Sequence, residues 1–138
     1  MKWYLLDTNH IGVAVNARTD LALRIRNGLA QGLRFGTCLP VLCEIQAGRQ
    51  QVSHPDEYQR NLQALLRRVR IWPLDEVTTE LYGKLYALVR KRGRALSAVD
   101  LMAAALAQQH QCTILTTDRD FEAIEDVVSV DNWLVKTE

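Results

Sequence analysis

The sequence has little of the chemistry that marks a secreted, membrane-spanning or zinc-stabilised protein. Its three cysteines, Cys38, Cys43 and Cys112, are odd in number and lack C-x-x-C spacing, which argues against a disulfide framework. We expect all three to be small buried hydrophobic residues in a reducing compartment. No apolar run is long enough to cross a membrane, and Asp7 interrupts the apolar start of the chain. These absences predict a cytoplasmic location with neither a signal peptide nor a membrane span.

Phosphate-binding loops and the usual nucleophile motifs are also missing. The sequence contains no Walker loop, no G-x-G-x-x-G and no G-x-S-x-G. The three histidines, His10, His54 and His110, have neither H-x-x-x-H nor mixed Cys/His spacing, so we expect them to be structural. The formal net charge of +1 indicates no class of partner. The sequence therefore argues against nucleoside-triphosphate chemistry and against a zinc site.

Short apolar runs alternate with helix-like segments along the whole chain. We expect strands at 3–6, 34–39, 69–74, 112–115 and 127–130. The intervening segments predict helices over 9–17, 20–32, 40–47, 56–68, 75–92 and 97–110, with a short helical turn at 118–122. This alternation predicts an α/β fold, with a mainly parallel five-stranded sheet in a three-layer α/β/α arrangement. A chain of 138 residues predicts a single domain over 1–138.

Four carboxylates occupy positions that such a sheet would bring together. Asp7 ends the first strand, and Asp118 lies just past the fourth. Glu44 is in the helix after the second strand, and Asp100 is in the helix before the fourth. Ligands of parallel α/β sheets bind beyond the carboxyl ends of the strands, where the strand order reverses. All four acids can therefore reach one pocket at that edge.

Each acid also has an ordinary structural explanation when it is taken alone. Asp7 begins D-T-N, which could cap a helix, and Glu44 could be a solvent-facing residue in the middle of a helix. Ser97 and Asp100 in S-A-V-D resemble a capping box. Asp118 could begin the next helical turn. The joint placement of the four acids at one edge is what favours a functional pocket over four separate coincidences.

A pocket of four acids poses a charge problem that has two solutions. Two ionised carboxylates ~4 Å apart repel each other by roughly 4 kcal/mol at an effective dielectric constant of ~20. Either some of the acids stay protonated, or a divalent cation binds among them. Carboxylate oxygens are hard ligands that suit Mg²⁺ or Mn²⁺. Asp120, two residues after Asp118, is expected to be exposed or to support the pocket from outside it.

Four short motifs connect these residues to a known family. They are L-L-D-T-N at 5–9, P-V-L-C-E-I at 40–45, L-S-A-V-D-L-M-A-A-A-L-A at 96–107 and I-L-T-T-D-R-D-F at 114–121. In this order and spacing, they make the chain resemble the PIN-domain ribonucleases, and among them the VapC-type toxins of bacterial toxin–antitoxin pairs. The resemblance implies a sheet ordered 3-2-1-4-5 and an acidic quartet at Asp7, Glu44, Asp100 and Asp118. It also implies that Asn9 and Thr116 orient the acids.

The resemblance implies an activity and partners as well. A Mg²⁺-dependent endoribonuclease of this family would hydrolyse RNA in line, leaving a 5′-phosphate and a 3′-hydroxyl without using the ribose 2′-hydroxyl. The expected protein partner is a small antitoxin, often with a DNA-binding half, whose tail blocks the acidic pocket. Homodimers are usual in the family. Which RNA is cut, and at which sequence, stays open.

An acidic pocket repels RNA, so basic residues nearby must hold the nucleic acid backbone. The basic residues just ahead of Asp100 are the candidates, namely Arg90, Lys91, Arg92 and Arg94. The alternative is that these side chains belong to a solvated loop.

Two other functions fit parts of the sequence. A receiver-type phosphoacceptor domain is also α/β with an acidic pocket, and Asp75 after the third strand could accept the phosphoryl group. It would need a lysine after the fifth strand, where the first lysine is Lys136. A binding module that keeps the fold without catalysis is the other alternative. The complete acidic quartet favours the nuclease over both.

Overall fold

The structure, a computed structural model, describes residues 2–134 of the chain. Strands β1 to β5 of this part span Trp3–Leu6, Arg34–Cys38, Arg70–Trp72, Cys112–Leu115 and Val130–Asp131. Helices α1 to α6 span Thr8–Ala14, Asp20–Ala30, Leu39–Arg49, Pro55–Leu66, Glu76–Lys91 and Ala98–His110. A 3-10 helix follows β4 at Arg119–Ile124.

The five strands form one parallel sheet in the order β3-β2-β1-β4-β5. Strand β1 pairs with β2 on one side and with β4 on the other, so the direction of winding reverses beside β1. This order and the helices around the sheet confirm the predicted fold. The reversal leaves a crevice outside the carboxyl ends of β1 and β4, which is where α/β sheets bind their ligands.

The central strands are continuous apolar runs because both faces of the sheet are covered. Leu5 and Leu6 of β1 and Ile114 and Leu115 of β4 are fully buried. On one face, α6 packs closely through the small side chains of residues 103–105, which are also fully buried. Close packing of this helix fixes the position of its first turn, which carries one of the four acids.

The ends of α5 and α6 are set by local capping. Asp75 and Thr78 form a capping box at the start of α5, and the Ser97 hydroxyl caps the start of α6. Gly93 adopts a φ of +69° just after α5, a backbone conformation that favours glycine. The chain therefore turns sharply between α5 and α6, and this turn brings the basic segment to the first turn of α6.

Most sequence-based bounds differ from the structure by one or two residues, and two of them differ by three. The fifth strand was predicted at 127–130, but the N–H groups of Val127 and Val128 both bond to the carbonyl of Ile124 in a turn, so β5 begins at Val130. Helix α1 ends at Ala14 rather than at residue 17.

The expectation that all cysteines are buried was wrong for Cys43, which is exposed on α3, whereas the other two are buried. Among residues 2–134, no helix combines the length and apolar character that a membrane crossing requires.

Candidate active site

All four predicted carboxylates line a single open cleft at the carboxyl edge of the sheet. The cleft has a volume of about 450 Å³. The acids on its wall are Asp7, Glu44, Asp100, Asp118 and Asp120, and the other side chains are Thr8, Asn9 and Ser97. Asp120 is exposed, as expected from the sequence. Acids from four separate segments of the chain therefore meet in one place.

Asp7 follows directly after β1 and is only 3% exposed. Its N–H group bonds to the carbonyl of Leu115 at 3.0 Å, which fastens it to the end of β4. It occupies the N-cap position of α1, yet its side chain makes no capping hydrogen bond. Instead, its Oδ2 accepts a 2.7 Å hydrogen bond from the Thr116 hydroxyl. Helix capping therefore does not account for this carboxylate.

Thr116 and Asn9 hold the acidic residues in position through hydrogen bonds. The Thr116 hydroxyl oxygen accepts the N–H of Asp118 at 3.0 Å while its proton is donated to Asp7, so one hydroxyl contacts two of the acidic residues. Asn9 Oδ1 accepts the N–H of Thr117 at 3.2 Å, and its amide nitrogen lies 3.5 Å from the Thr116 hydroxyl. These contacts hold the loop after β4 against the start of α1.

His10 joins this network, although its sequence context gave no sign of a role beside the site. The ring is fully buried, and its Nε2 accepts the N–H of Trp133 at 3.1 Å. That bond requires the proton to be on Nδ1, which donates to Asn9 Oδ1 at 2.8 Å. Burial lowers the pKa of His10 to about 4, so the ring is neutral at physiological pH. Neutral His10 therefore fixes Asn9 from the protein interior.

Asp100 is the acid whose protonation is most perturbed. It lies in the first turn of α6, is 9% exposed, and donates its N–H to the Ser97 hydroxyl at 3.1 Å. Burial, and then the negative charges of Asp7 and Asp118, raise the pKa of Asp100 to about 7. Burial also raises the pKa of Asp7, with smaller contributions from Glu44 and Asp118. The carboxylates are thus close enough for the negative charge of one to disfavour ionisation of another.

Asp118 and Glu44 are the more accessible members. Asp118 caps the 3-10 helix, because its Oδ1 accepts the N–H of Asp120 at 2.9 Å. The expectation that Asp118 could begin a helical turn is therefore correct, although the residue also lines the cleft. Glu44 is exposed on α3, as an ordinary helix residue would be. However, its Oε1 accepts a 2.6 Å hydrogen bond from the Thr8 hydroxyl, 36 positions away, which turns the side chain toward the cleft.

The donor chemistry of the cleft fits a divalent cation. The oxygens belong to carboxylates, two of which are buried and have pKa values that are raised first by burial and then by the neighbouring negative charges. A cation between them would offset that repulsion. Within residues 2–134, the side-chain positions do not by themselves form a ligand cage of three or more Asp, Glu, His or Cys groups. Ligation of one cation by three of these groups would therefore require the carboxylates to lie closer together.

The four basic residues predicted to hold RNA differ in their surroundings. Arg92 makes two bonds to the carboxylate of Asp126, at 2.8 and 2.9 Å, and a third to the carbonyl of Ala123 at 2.7 Å. Arg92 therefore holds the end of α5 to the segment after β4. Arg90, Lys91 and Arg94 are exposed. None of the four lines the acidic cleft itself.

Asp75, the possible phosphoacceptor, lies far from the acidic cleft. Its carboxylate accepts bonds at 3.0 and 2.9 Å from Gln109 in the last turn of α6. Asp100 is in the first turn of the same helix, about 13 Å away at ~1.5 Å per residue. Lys136, the other residue of that interpretation, lies outside the described residues. The structure therefore gives no support to a receiver-type site.

Comparison with known proteins agrees with this architecture. A family model described as the PIN domain matches residues 4–127. Ribonuclease VapC2 of Rickettsia felis is 27% identical over 131 residues, which cover 94% of this chain and 97% of that protein. Ribonuclease VapC4 of Mycobacterium tuberculosis is 32% identical over 98 residues, covering 70% and 75%. The crystal structure of VapBC2 from Rickettsia felis, bound to a DNA fragment from its promoter, superposes with a TM-score of 0.84 at 26% identity, covering 95% of this chain and 98% of that one.

Proposed function

This chain belongs to the PIN domain family, and we propose that it is an endoribonuclease of the VapC type, the toxin of a toxin–antitoxin pair. The observation that carries the proposal is the cleft in which four carboxylates from separate segments meet. The relatives named as ribonucleases support RNA as the substrate. We further propose that residues 1–138 act as one domain in the cytoplasm.

We propose that Asp7, Glu44, Asp100 and Asp118 hold Mg²⁺, with Mn²⁺ as the alternative. When bound there, such a cation would act as a Lewis acid that polarises the phosphodiester and makes a water molecule more acidic. The choice of metal follows from the all-oxygen donor set, because carboxylates suit hard divalent cations better than soft ones.

The residues of the chain itself supply position and charge. Thr116 holds the carboxylate of Asp7 by a 2.7 Å hydrogen bond, and Thr8 holds that of Glu44 by one of 2.6 Å. Asn9 and His10 fix the loop after β4 from the buried side. This arrangement limits the motion of the acids, and pre-organised charge is the main contribution that a protein makes to phosphodiester hydrolysis.

Cleavage of RNA by the purified protein tests this function. We expect cleavage with Mg²⁺, loss of cleavage in EDTA, and loss in the Asp7→Asn variant. Asp20→Asn is the matched control, because Asp20 is exposed on α2 and undergoes the same chemical change. Cleavage that survives both EDTA and Asp7→Asn would refute the metal mechanism. Failure to cleave any RNA would favour a binding module without catalysis.

The chemistry of the cut can be tested separately. If the attacking group is water and the ribose 2′-hydroxyl is not used, an RNA with 2′-O-methyl groups at the cleaved position should still be cut. The products should carry a 5′-phosphate and a 3′-hydroxyl. A 2′,3′-cyclic phosphate would identify a different mechanism, in which the acidic cleft does not activate water.

The proposal includes a protein partner. The related VapBC2 of Rickettsia felis was crystallised on promoter DNA, and we propose that this chain likewise binds a small antitoxin, with DNA contacted only through that partner. Inhibition of RNA cleavage by the candidate antitoxin, in a complex of defined stoichiometry, is the expected result. The homodimer implied by the family resemblance stays a prediction, which light scattering of the purified chain would test.

A further inference from the structure

A second cleft, which we name the α5–α6 cleft, lies beside the acidic one. Its wall includes Tyr86, Arg90, Arg94, Leu96 and Leu101, and its volume is about 380 Å³, within the usual range of roughly 300–1,000 Å³ for ligand pockets. We propose that this cleft binds one nucleotide of single-stranded RNA next to the scissile phosphate, with the base against the Tyr86 side and a phosphate against the arginines. The inference rests on the proposed nuclease function and specifies how the substrate is held.

The two clefts meet at the first turn of α6. Leu96 and Leu101 belong to the wall of the α5–α6 cleft, whereas Ser97 and Asp100 belong to the wall of the acidic cleft. Leu96 is adjacent to Ser97 and Leu101 is adjacent to Asp100 in the sequence, and adjacent Cα atoms are ~3.8 Å apart. A single strand of RNA can therefore pass from one cleft into the other across one turn of helix.

The wall of the α5–α6 cleft provides an aromatic surface for a base. Tyr86 is 43% exposed, although burial of an aromatic ring usually stabilises a fold. The guanidinium carbon of Arg90 lies 5.5 Å from the centre of that ring, and its Nη1 donates a 2.8 Å hydrogen bond to the Tyr86 hydroxyl. The ring of Tyr82 lies on the preceding turn, 6.4 Å away and tilted by 17°. Unpaired bases stack on aromatic rings and guanidinium planes of this kind.

The charge of the α5–α6 cleft fits a phosphate. The charged residues of its described wall are Arg90 and Arg94, and both are exposed. Within residues 2–134, neither forms an ion pair, whereas the neighbouring Arg92 is paired with Asp126. The acidic cleft alone repels RNA, so a positive surface next to it resolves the charge conflict. An acidic protein segment would also be attracted by the two arginines, but its carboxylates, unlike a base, would not stack on the aromatic wall.

Binding of a short, fluorescently labelled, single-stranded RNA of mixed sequence tests the inference. Anisotropy is measured with the full-length protein in EDTA, over a range of salt concentrations, for the wild type and four variants. Tyr86→Leu removes the aromatic surface, and Tyr86→Phe keeps it without the hydroxyl. Arg94→Gln removes a charge at the cleft. Arg70→Gln removes an exposed charge at the amino end of β3, on the opposite edge of the sheet.

The variants should separate stacking from charge. We expect Tyr86→Leu to weaken binding roughly 5- to 150-fold with unchanged salt dependence, and Tyr86→Phe to bind like the wild type. Arg94→Gln should weaken binding and reduce the slope of log K against log salt by about 0.7, the value for one single-strand phosphate contact. Arg70→Gln should leave both affinity and slope unchanged. Circular dichroism and thermal unfolding of each variant verify that it is folded.

The results also separate this inference from the proposed function, because RNA cleavage with Mg²⁺ is measured on the same proteins. A wild type that binds and cleaves RNA, with equal affinity in all variants, would overturn the role of the α5–α6 cleft and leave the nuclease intact. A wild type that neither binds nor cleaves RNA would overturn both. If Tyr86→Leu changes only the oligomeric state or the affinity for the antitoxin, the cleft is a protein-docking surface and the RNA inference is wrong.

Discussion

The hydroxyl of Thr116 donates a 2.7 Å hydrogen bond to the carboxylate of Asp7, although the two residues are 109 positions apart. The contact exists because β1 and β4 are paired in parallel, which places their carboxyl ends side by side. The same hydroxyl accepts the N–H of Asp118. The Thr116 side chain therefore contacts two of the four acids, and its position depends on the pairing of the two central strands.

Replacing Thr116 with valine should affect both stability and cleavage. The change keeps the shape of the side chain but leaves the buried Asp7 carboxylate without its donor and the Asp118 N–H without its acceptor. An unsatisfied buried polar group costs about 1–3 kcal/mol, so we expect a decrease of that size in the free energy of unfolding, measured with urea. RNA cleavage should fall as well.

The neighbouring Thr117→Val variant is the control for that experiment, since Thr117 is exposed. It should unfold and cleave RNA like the wild type. Equal stability of the two valine variants would mean that the Thr116 hydroxyl does not support the site.

His10 should make stability increase with pH on the acid side of neutrality. Its pKa is about 4 in the folded protein, below the ordinary histidine value of 6.5 that applies to the unfolded chain, so the unfolded chain binds the extra proton between these values. The contribution of neutral His10 is complete above about pH 6.5 and is lost as the pH falls toward 4, by about 1.4 kcal/mol per pH unit.

The His10→Gln variant removes this dependence, and its measurement is urea unfolding across that pH range. Its stability should be lower than that of the wild type at neutral pH and should lack the acid loss due to His10. His54→Gln, an exposed position at the start of α4, is the control and should retain the wild-type pH profile. A wild-type profile in His10→Gln would show that burial of the ring is not what sets the profile.

Asp100 should act in the opposite direction. Its pKa is raised from 3.8 to about 7 in the folded protein, so here the folded state binds the extra proton. In the absence of divalent cations, this contribution decreases the free energy of unfolding as the pH rises from about 4 to 7. The raised pKa of Asp7 has the same sign.

The Asp100→Asn variant should therefore be more stable than the wild type in EDTA above neutral pH, and inactive in RNA cleavage. Urea unfolding on both sides of the titration is the measurement, with Asp20→Asn as the matched control. A loss of stability in Asp100→Asn at high pH would show that the carboxylate is better satisfied than its crowded surroundings suggest.

Arg92 should matter for stability rather than for RNA. Its guanidinium is occupied by Asp126 and by the carbonyl of Ala123, so Arg92→Gln should lower the melting temperature slightly, as should Asp126→Asn. The salt dependence of RNA binding should be the same in Arg92→Gln as in the wild type. A reduced salt slope would instead assign Arg92 to the RNA-binding surface.

Much of the fold and the position of the acidic cleft could be predicted from the sequence. Apolar runs without polar alternation predict buried parallel strands, and Asp7 and Asp118 follow two such runs directly. The parallel arrangement then places both at one edge of the sheet. Strand β5 was misplaced because Val127 and Val128 are apolar and β-branched, yet their N–H groups close a turn onto Ile124. The local composition favours a strand, but hydrogen bonds to the end of the preceding 3-10 helix hold the two residues in a turn.

The remaining features depend on contacts between distant parts of the chain, which spacing along one sequence does not reveal. The direction of Glu44 is set by Thr8 on another helix. Arg92 and Arg94 differ in role because Arg92 is paired with Asp126, which lies 34 positions after Arg92. Tyr86 becomes part of a cleft only because α5 and α6 pack against each other. The basic segment is visible in the sequence, but the different contacts of its arginines are not.

Binding of a divalent cation to the full-length protein, without RNA, tests the central claim most directly. Mn²⁺ has the advantage that its free concentration can be followed by electron paramagnetic resonance, and Mg²⁺ should compete with it. We predict saturable binding to the wild type and to Asp20→Asn, and its loss in Asp7→Asn and Asp100→Asn. Equal binding to all four proteins, or no binding to the wild type, would contradict the assignment of the acidic cleft as a metal site.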